Sequence, residues 1–75
     1  MVTTDTVRIK GRLISVGMTK GLVRKYAGKP EWADRYHNTR GQTVDAWYYT
    51  VGNVQYCIKI RSQKVTGIET EYTHR

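Results

Sequence analysis

The chain has 75 residues, with thirteen Lys or Arg against six Asp or Glu, so its formal net charge is +7. This length predicts a single domain over residues 1–75 that buries only roughly 60% of its unfolded surface, and homodimerisation would supplement so small a core. Its single cysteine, Cys57, excludes an intrachain disulfide and a cysteine-based zinc cluster. No apolar run approaches the roughly 20 residues that span a bilayer. We therefore expect a cytoplasmic protein with no cofactor and no membrane association.

The first predicted strand runs from Thr6 to Val16. Val7, Ile9 and Leu13 point one way along it and alternate with Arg and Lys, which is the period of a half-buried strand. The alternation shifts towards the end of this run, where apolar residues follow one another more closely. We interpret the shift as a bulge or bend near Gly11.

A long basic connection follows over Gly17–Gln42, where the strand pattern is lost. Pro30 suits the first position of a helix, so we expect one or two helical turns over Lys29–Tyr36. Trp32 and Tyr36 are four residues apart and would share one face of that helix. Docked on a sheet, this face would add aromatic rings to a poor core.

The clearest local prediction is a hairpin centred on Gly52-Asn53. This dipeptide lies between two strand-like runs and fits a two-residue turn of type I′ or II′. The turn fixes the register, so that Val51 faces Val54 and Trp47 faces Ile58. The face opposite the core would be mixed and basic at one end. The expected core face consists of Trp47, Tyr49, Val51, Val54, Tyr56, Ile58 and Ile60.

A last strand is expected over Lys64–Tyr72, after a turn near Ser62-Gln63 and with Gly67 marking a bulge. The sequence therefore predicts a β-rich fold, all-β or α+β, with four to five strands and one short helix in a long basic connection. Two architectures fit this order. One is a partly closed barrel of the SH3-like or OB-like kind, and the other is a small open antiparallel sheet covered by the helix.

The strongest functional signal is the alternation of basic and aromatic residues in the connection. Lys and Arg neutralise phosphates with release of counterions, and aromatic rings stack on bases. We therefore expect nucleic acid, DNA or RNA, or else an acidic protein surface, as the partner. The candidate phosphate contacts are Arg24, Lys25, Lys29, Arg35 and Arg40, and the candidate stacking residues are Tyr26 and Trp32.

A second basic group is expected on the strands. Cations at period two form a row that can follow a nucleic-acid backbone, although Lys and Arg on exposed strands also protect sheets from aggregation. Tyr48 shares a predicted face with Lys59 and Arg61, which makes it the sheet residue most suited to stacking. The members of this group are Arg8, Lys10, Arg12, Lys59 and Arg61.

Three functions fit these features. The favoured one is a small, non-enzymatic nucleic-acid-binding module. The second is a protein-binding effector of the kind encoded by phages and mobile elements, which would inhibit a host enzyme or defence complex through Trp32, Tyr36 and Tyr26. The third is a small basic ribonuclease in which Asp34 would orient His37 for acid-base chemistry. A solvated loop histidine is commoner, so the ribonuclease ranks last.

Overall fold

Two antiparallel sheets and one helix make up the computed structural model in the part that it describes, residues 2–72, with side chains from Thr4 onward. The elements in chain order are β1 (Val2–Thr4), β2 (Thr6–Ile9), β3 (Arg12–Ser15), α1 (Lys20–Ala27), β4 (Trp32–His37), β5 (Thr43–Val51), β6 (Val54–Arg61) and β7 (Lys64–Tyr72). Five strands form one sheet in the order β1-β7-β6-β5-β4, while β2 and β3 pair only with each other. The predicted β-rich fold is confirmed. Because its edge strands β1 and β4 do not pair, the sheet is open rather than closed into a barrel.

One face of the five-stranded sheet is covered by α1 and the β2–β3 hairpin, which we call the helix–hairpin layer (residues 6–29). The core lies between this layer and the sheet, and no element of the described residues covers the opposite side of the sheet, which we call the open face. The buried core cluster consists of Val7, Ile9, Ile14, Val23 and Ala27 from the layer, with Trp47, Tyr49, Ile58, Ile60, Val65 and Ile68 from the sheet.

The predicted first strand is wrong in one respect, because the chain reverses where only a bend was expected. Lys10 and Gly11 have φ angles of 54° and 79°, the two positive values of a type I′ turn. The turn places Val7 directly opposite Ile14, and both are buried. The shift in hydrophobic alternation therefore marks the return strand. A Lys-Gly pair lacks the Asn or Asp that usually identifies such turns.

Helix α1 begins at Lys20, nine residues earlier than expected. The Thr19 hydroxyl accepts a hydrogen bond of 3.3 Å from the Leu22 amide and caps its first turn. Val23 and Ala27, four residues apart, form the buried face. Gly28, with φ at 79°, ends the helix in a backbone conformation that side chains with a Cβ rarely adopt.

The helix predicted over Lys29–Tyr36 is therefore wrong, because Trp32–His37 forms the edge strand β4. It pairs with β5 from Trp32 opposite Tyr48 to His37 opposite Thr43. Residues separated by four positions share a face in a strand as well as in a helix, so the spacing of Trp32 and Tyr36 fits both. The sheet is already covered by α1, and Trp32–His37 instead forms backbone hydrogen bonds with β5 as its edge strand.

The predicted hairpin and last strand are confirmed. Val51 lies opposite Val54 and Trp47 opposite Ile58, and among the turn residues Gly52 has φ at 61°, as in a type II′ turn. The register between β6 and β7 shifts after Lys59, which lies opposite Gly67, at the expected bulge. Strand β1, which pairs with β7, was not predicted from the polar N-terminal residues.

The expected core face is confirmed where the helix–hairpin layer covers it. Trp47, Tyr49, Ile58 and Ile60 are buried. Val51 remains 43% exposed because it flanks the β5–β6 turn at the end of the sheet.

Candidate nucleic-acid interface

The helix–hairpin layer carries a large excess of positive charge. Residues 6–30 contain seven Lys or Arg and no Asp or Glu. Lys20 alone of the seven has a carboxylate partner, Asp45 at 3.0 Å; within residues 2–72 the other six form no ion pair. These six are Arg8, Lys10, Arg12, Arg24, Lys25 and Lys29.

The end of α1 is where most of these cations meet. Arg24 and Lys25 are exposed in the last turn of the helix, and Lys29 is exposed just beyond it. The last carbonyls of a helix carry a partial negative charge, which favours cations nearby by about 0.3–1 kcal/mol each. This effect accounts for one or two basic residues at this position.

The β2–β3 turn adds two further cations at the same end. A Cβ placed on Gly28 would lie 3.0 Å from Lys10 Nζ, so this ammonium group sits directly over the helix C-terminus. The Arg12 guanidinium lies 5.0 Å from the centre of the Tyr26 ring on α1. We call the five residues Lys10, Arg12, Arg24, Lys25 and Lys29 the basic cluster. Like charges gathered in this way repel one another, and a bound anion would relieve that repulsion.

The two predicted stacking residues of the connection differ in accessibility. Tyr26 is half-buried, packs against the core and has Arg12 over its ring. Trp32 is 65% exposed at the first position of β4. Because Trp32 lies opposite Tyr48, its ring is on the open face of the sheet and not on the side that carries the basic cluster. Tyr26, by contrast, packs beneath Arg12 within the cluster.

Arg35, a predicted phosphate contact, is engaged within the protein. Asp45 on β5 accepts hydrogen bonds from Arg35 Nε at 2.7 Å and from Lys20 Nζ at 3.0 Å. The bond from Arg35, and after it that from Lys20, holds the pKa of Asp45 below its usual value in spite of partial burial. The guanidinium is thus part of a bridge between strands rather than of the basic cluster.

Arg40 and Arg61 lie at the opposite end of β4 from the cluster. Arg40 is exposed in the turn between β4 and β5. Arg61 on β6 donates a hydrogen bond of 2.7 Å to the side-chain oxygen of Gln42 in the same turn. The structure separates these two predicted contacts from those at the helix end.

The open face contains the remaining predicted residues, Tyr48 and Lys59. Lys59 Nζ donates to the Glu69 carboxylate at 2.9 Å, and this bond raises the pKa of Lys59. Burial raises the pKa of Cys57, so its thiol stays protonated. This face is therefore aromatic and mixed in charge rather than basic. Its shallow groove of about 170 Å³ is lined by Tyr36, Ala46, Tyr48, Gln55, Cys57, Lys59, Glu69 and Glu71.

Asp34 and His37 do not form the pair that a ribonuclease site would need. Three residues apart on a strand, they point to opposite faces of β4. His37 Nε2 instead lies 3.4 Å from the Thr43 hydroxyl. Among the described residues no three His, Cys, Asp or Glu side chains come together as a metal site, and no helix has the length and apolarity to cross a bilayer.

Sequence reasoning missed that Lys10 and Arg12 join the residues of α1, since it placed them in a separate row on a continuous strand. The Lys10-Gly11 dipeptide between two apolar alternations was the available signal. No protein-family model, curated protein or solved structure matches the chain.

Proposed function

We propose that the protein is a small nucleic-acid-binding module that contacts the phosphate backbone through the basic cluster and has no catalytic role. The observation that supports this most directly is the convergence of five cations from the β2–β3 turn, α1 and the segment after it. None of them has a carboxylate within ion-pairing distance in the described part of the chain. Unpaired Lys and Arg at this density suit a polyanion better than a single small anion.

This mode of contact is electrostatic and depends little on the base sequence of the nucleic acid. Each phosphate that a Lys or Arg neutralises releases a condensed counterion, so affinity falls with rising salt. Contact with about four phosphates gives a slope of log K against log salt near −3 to −4. We expect this slope for a mixed-sequence oligonucleotide, measured by fluorescence anisotropy over a salt series.

Single substitutions distinguish the basic cluster from net charge alone. Arg24→Ala and Lys25→Ala are each expected to weaken binding and to make the slope less steep by about 1. Lys59→Ala removes the same charge from an ammonium group already paired with Glu69 on the open face, so it serves as the control and should leave the slope unchanged.

Two results would contradict the proposal. Absence of binding at low salt would exclude nucleic acid as the partner. An equal loss of slope in Lys59→Ala and Lys25→Ala would show that total charge, and not the basic cluster, controls binding.

A second candidate function, a protein-binding effector, is favoured by the open face. Trp32 and Tyr36 are 65% and 38% exposed beside the groove, and exposed aromatic side chains are typical anchors of protein interfaces. A partner docked there would leave the basic cluster uncovered. If the protein binds no nucleic acid, the protein-binding function through the open face becomes the favoured one.

A further inference from the structure

A pocket lies next to the basic cluster, between the β2–β3 turn, the segment after α1 and the end of β5. Its volume is about 290 Å³. The lining residues are Ile9, Lys10, Lys29, Glu31, Tyr49, Thr50 and Val51. Two of them, Lys10 and Lys29, belong to the basic cluster, so the pocket and the cluster form one continuous surface.

The interior of the pocket is apolar and fixed in position. Ile9 and Tyr49 are 1% and 3% exposed and belong to the core. Burial raises the pKa of Tyr49 to about 12, and its hydroxyl donates a hydrogen bond of 2.8 Å to the Gly28 carbonyl. That bond holds the tyrosine against the end of α1. The pocket therefore offers a preformed apolar surface instead of one that has to be assembled on binding.

Both positively and negatively charged side chains lie around this apolar surface. The ammonium groups of Lys10 and Lys29 suit phosphate oxygens. The Glu31 carboxylate, which forms no ion pair within residues 2–72, can accept a hydrogen bond from an N–H on the edge of a base. A ligand that satisfies all three has a flat apolar body with N–H donors at its edge and phosphates on either side. A nucleotide has this chemistry.

We propose that the pocket takes one unpaired base of a single-stranded nucleic acid, with the flanking phosphates on Lys10 and Lys29. The inference rests on the proposed function and narrows it to single strands. Bases in a duplex are stacked and paired and do not reach such a pocket, whereas bases of a single strand can turn outward.

The test compares a single-stranded oligonucleotide with a blunt duplex of the same length. Val51→Trp fills the pocket at a residue that is 43% exposed, so the fold should tolerate it. Loss of one base contact should weaken single-strand binding about tenfold and leave duplex binding unchanged, because stacking of one base is worth about 1–3 kcal/mol. Val16→Trp is the matched control, since Val16 is 42% exposed and lies outside the pocket.

A second measurement does not depend on a variant. The methyl resonances of Ile9 and Val51 in the wild-type protein should shift on titration with the single strand and stay in place with the duplex. Methyl resonances that stay in place while the single strand binds would overturn the pocket, as would equal effects of Val51→Trp on both ligands. The proposed binding through the basic cluster would remain, without the pocket. Failure of the wild type to bind either nucleic acid would overturn the proposed function, and the pocket with it.

Discussion

Individual Lys and Arg residues of this chain differ in their surroundings more than in their chemistry. Lys20, Arg35 and Lys59 each have a carboxylate oxygen within 3.0 Å. Surface pairs of this kind contribute only about 0–1 kcal/mol to stability, but they satisfy the charge of the cation. Arg24 and Lys25 have no such partner in the described part of the chain. Composition counts all five alike, and only the pairing of the strands separates them.

Neighbouring residues on β6 test the division between core and open face. Ile58 is fully buried, so Ile58→Ala should lower the free energy of unfolding by about 2–5 kcal/mol. Lys59→Ala removes a partly exposed ion pair and should lower it by no more than about 1 kcal/mol. Urea denaturation measures both values. The reverse order of effects would mean that the strand is displaced by one residue, which would exchange its two faces.

At the scale of the elements, a hairpin could be predicted from the sequence only where its turn residues have a recognised signature. Gly52-Asn53 has a recognised turn signature, and the register of β5 and β6 followed from it. The Lys10-Gly11 turn has no such signature, so the β2–β3 hairpin was taken for one strand. The helix was misplaced for another reason. Residues four apart share a face in both helix and strand, and only tertiary packing shows that Val23 and Ala27, rather than Trp32 and Tyr36, cover the sheet.

The turn between β6 and β7 contains two residues in an unfavourable backbone region. Ser62 and Gln63 have φ angles of 54° and 68°, a conformation that glycine adopts without the cost that a Cβ imposes. Gln63→Gly should therefore raise the free energy of unfolding by about 0.5–1 kcal/mol. Gln55→Gly, the same change inside strand β6, should lower it by a similar amount. A thermal unfolding series compares the two variants. Destabilisation by Gln63→Gly would show that its side chain contributes more than the backbone strain costs.

At the scale of the whole molecule, five of the predicted binding residues divide into two groups. Those close together in sequence, Arg24, Lys25 and Lys29, do lie together, because a helix end keeps them so. Arg35 and Lys59 are paired with carboxylates ten residues further along the chain, Asp45 and Glu69, which the pairing of β4 with β5 and of β6 with β7 brings beside them. Charge pattern along a sequence identifies neighbours within one element. It does not show which cations the fold itself will satisfy.

One carboxylate joins three elements of the fold and makes its stability depend on pH. Asp45 on β5 accepts from Arg35 on β4 and from Lys20 on α1. Arg35 is the main cause of the lowered pKa of Asp45, with Lys20 next. A pKa lower in the folded than in the unfolded protein contributes stability above the unfolded value, which is about 3.9 for aspartate. That contribution is lost as the pH falls through the folded-state pKa.

Asp45→Asn tests this linkage. At pH 7 the variant should be less stable than wild type, because it has lost a charged acceptor shared by Arg35 and Lys20. As the pH falls below the unfolded value of about 3.9 and then through the lower folded-state pKa, wild-type Asp45 becomes protonated too, so the difference in unfolding free energy should shrink. Asp5→Asn, the control, removes an equal charge at an exposed residue outside these ion pairs and should differ little in stability from wild type. Urea denaturation at intervals between pH 7 and pH 2 gives the three curves. A gap between Asp45→Asn and wild type that keeps its size at low pH would show that packing around residue 45, and not its charge, links β5 to β4 and α1.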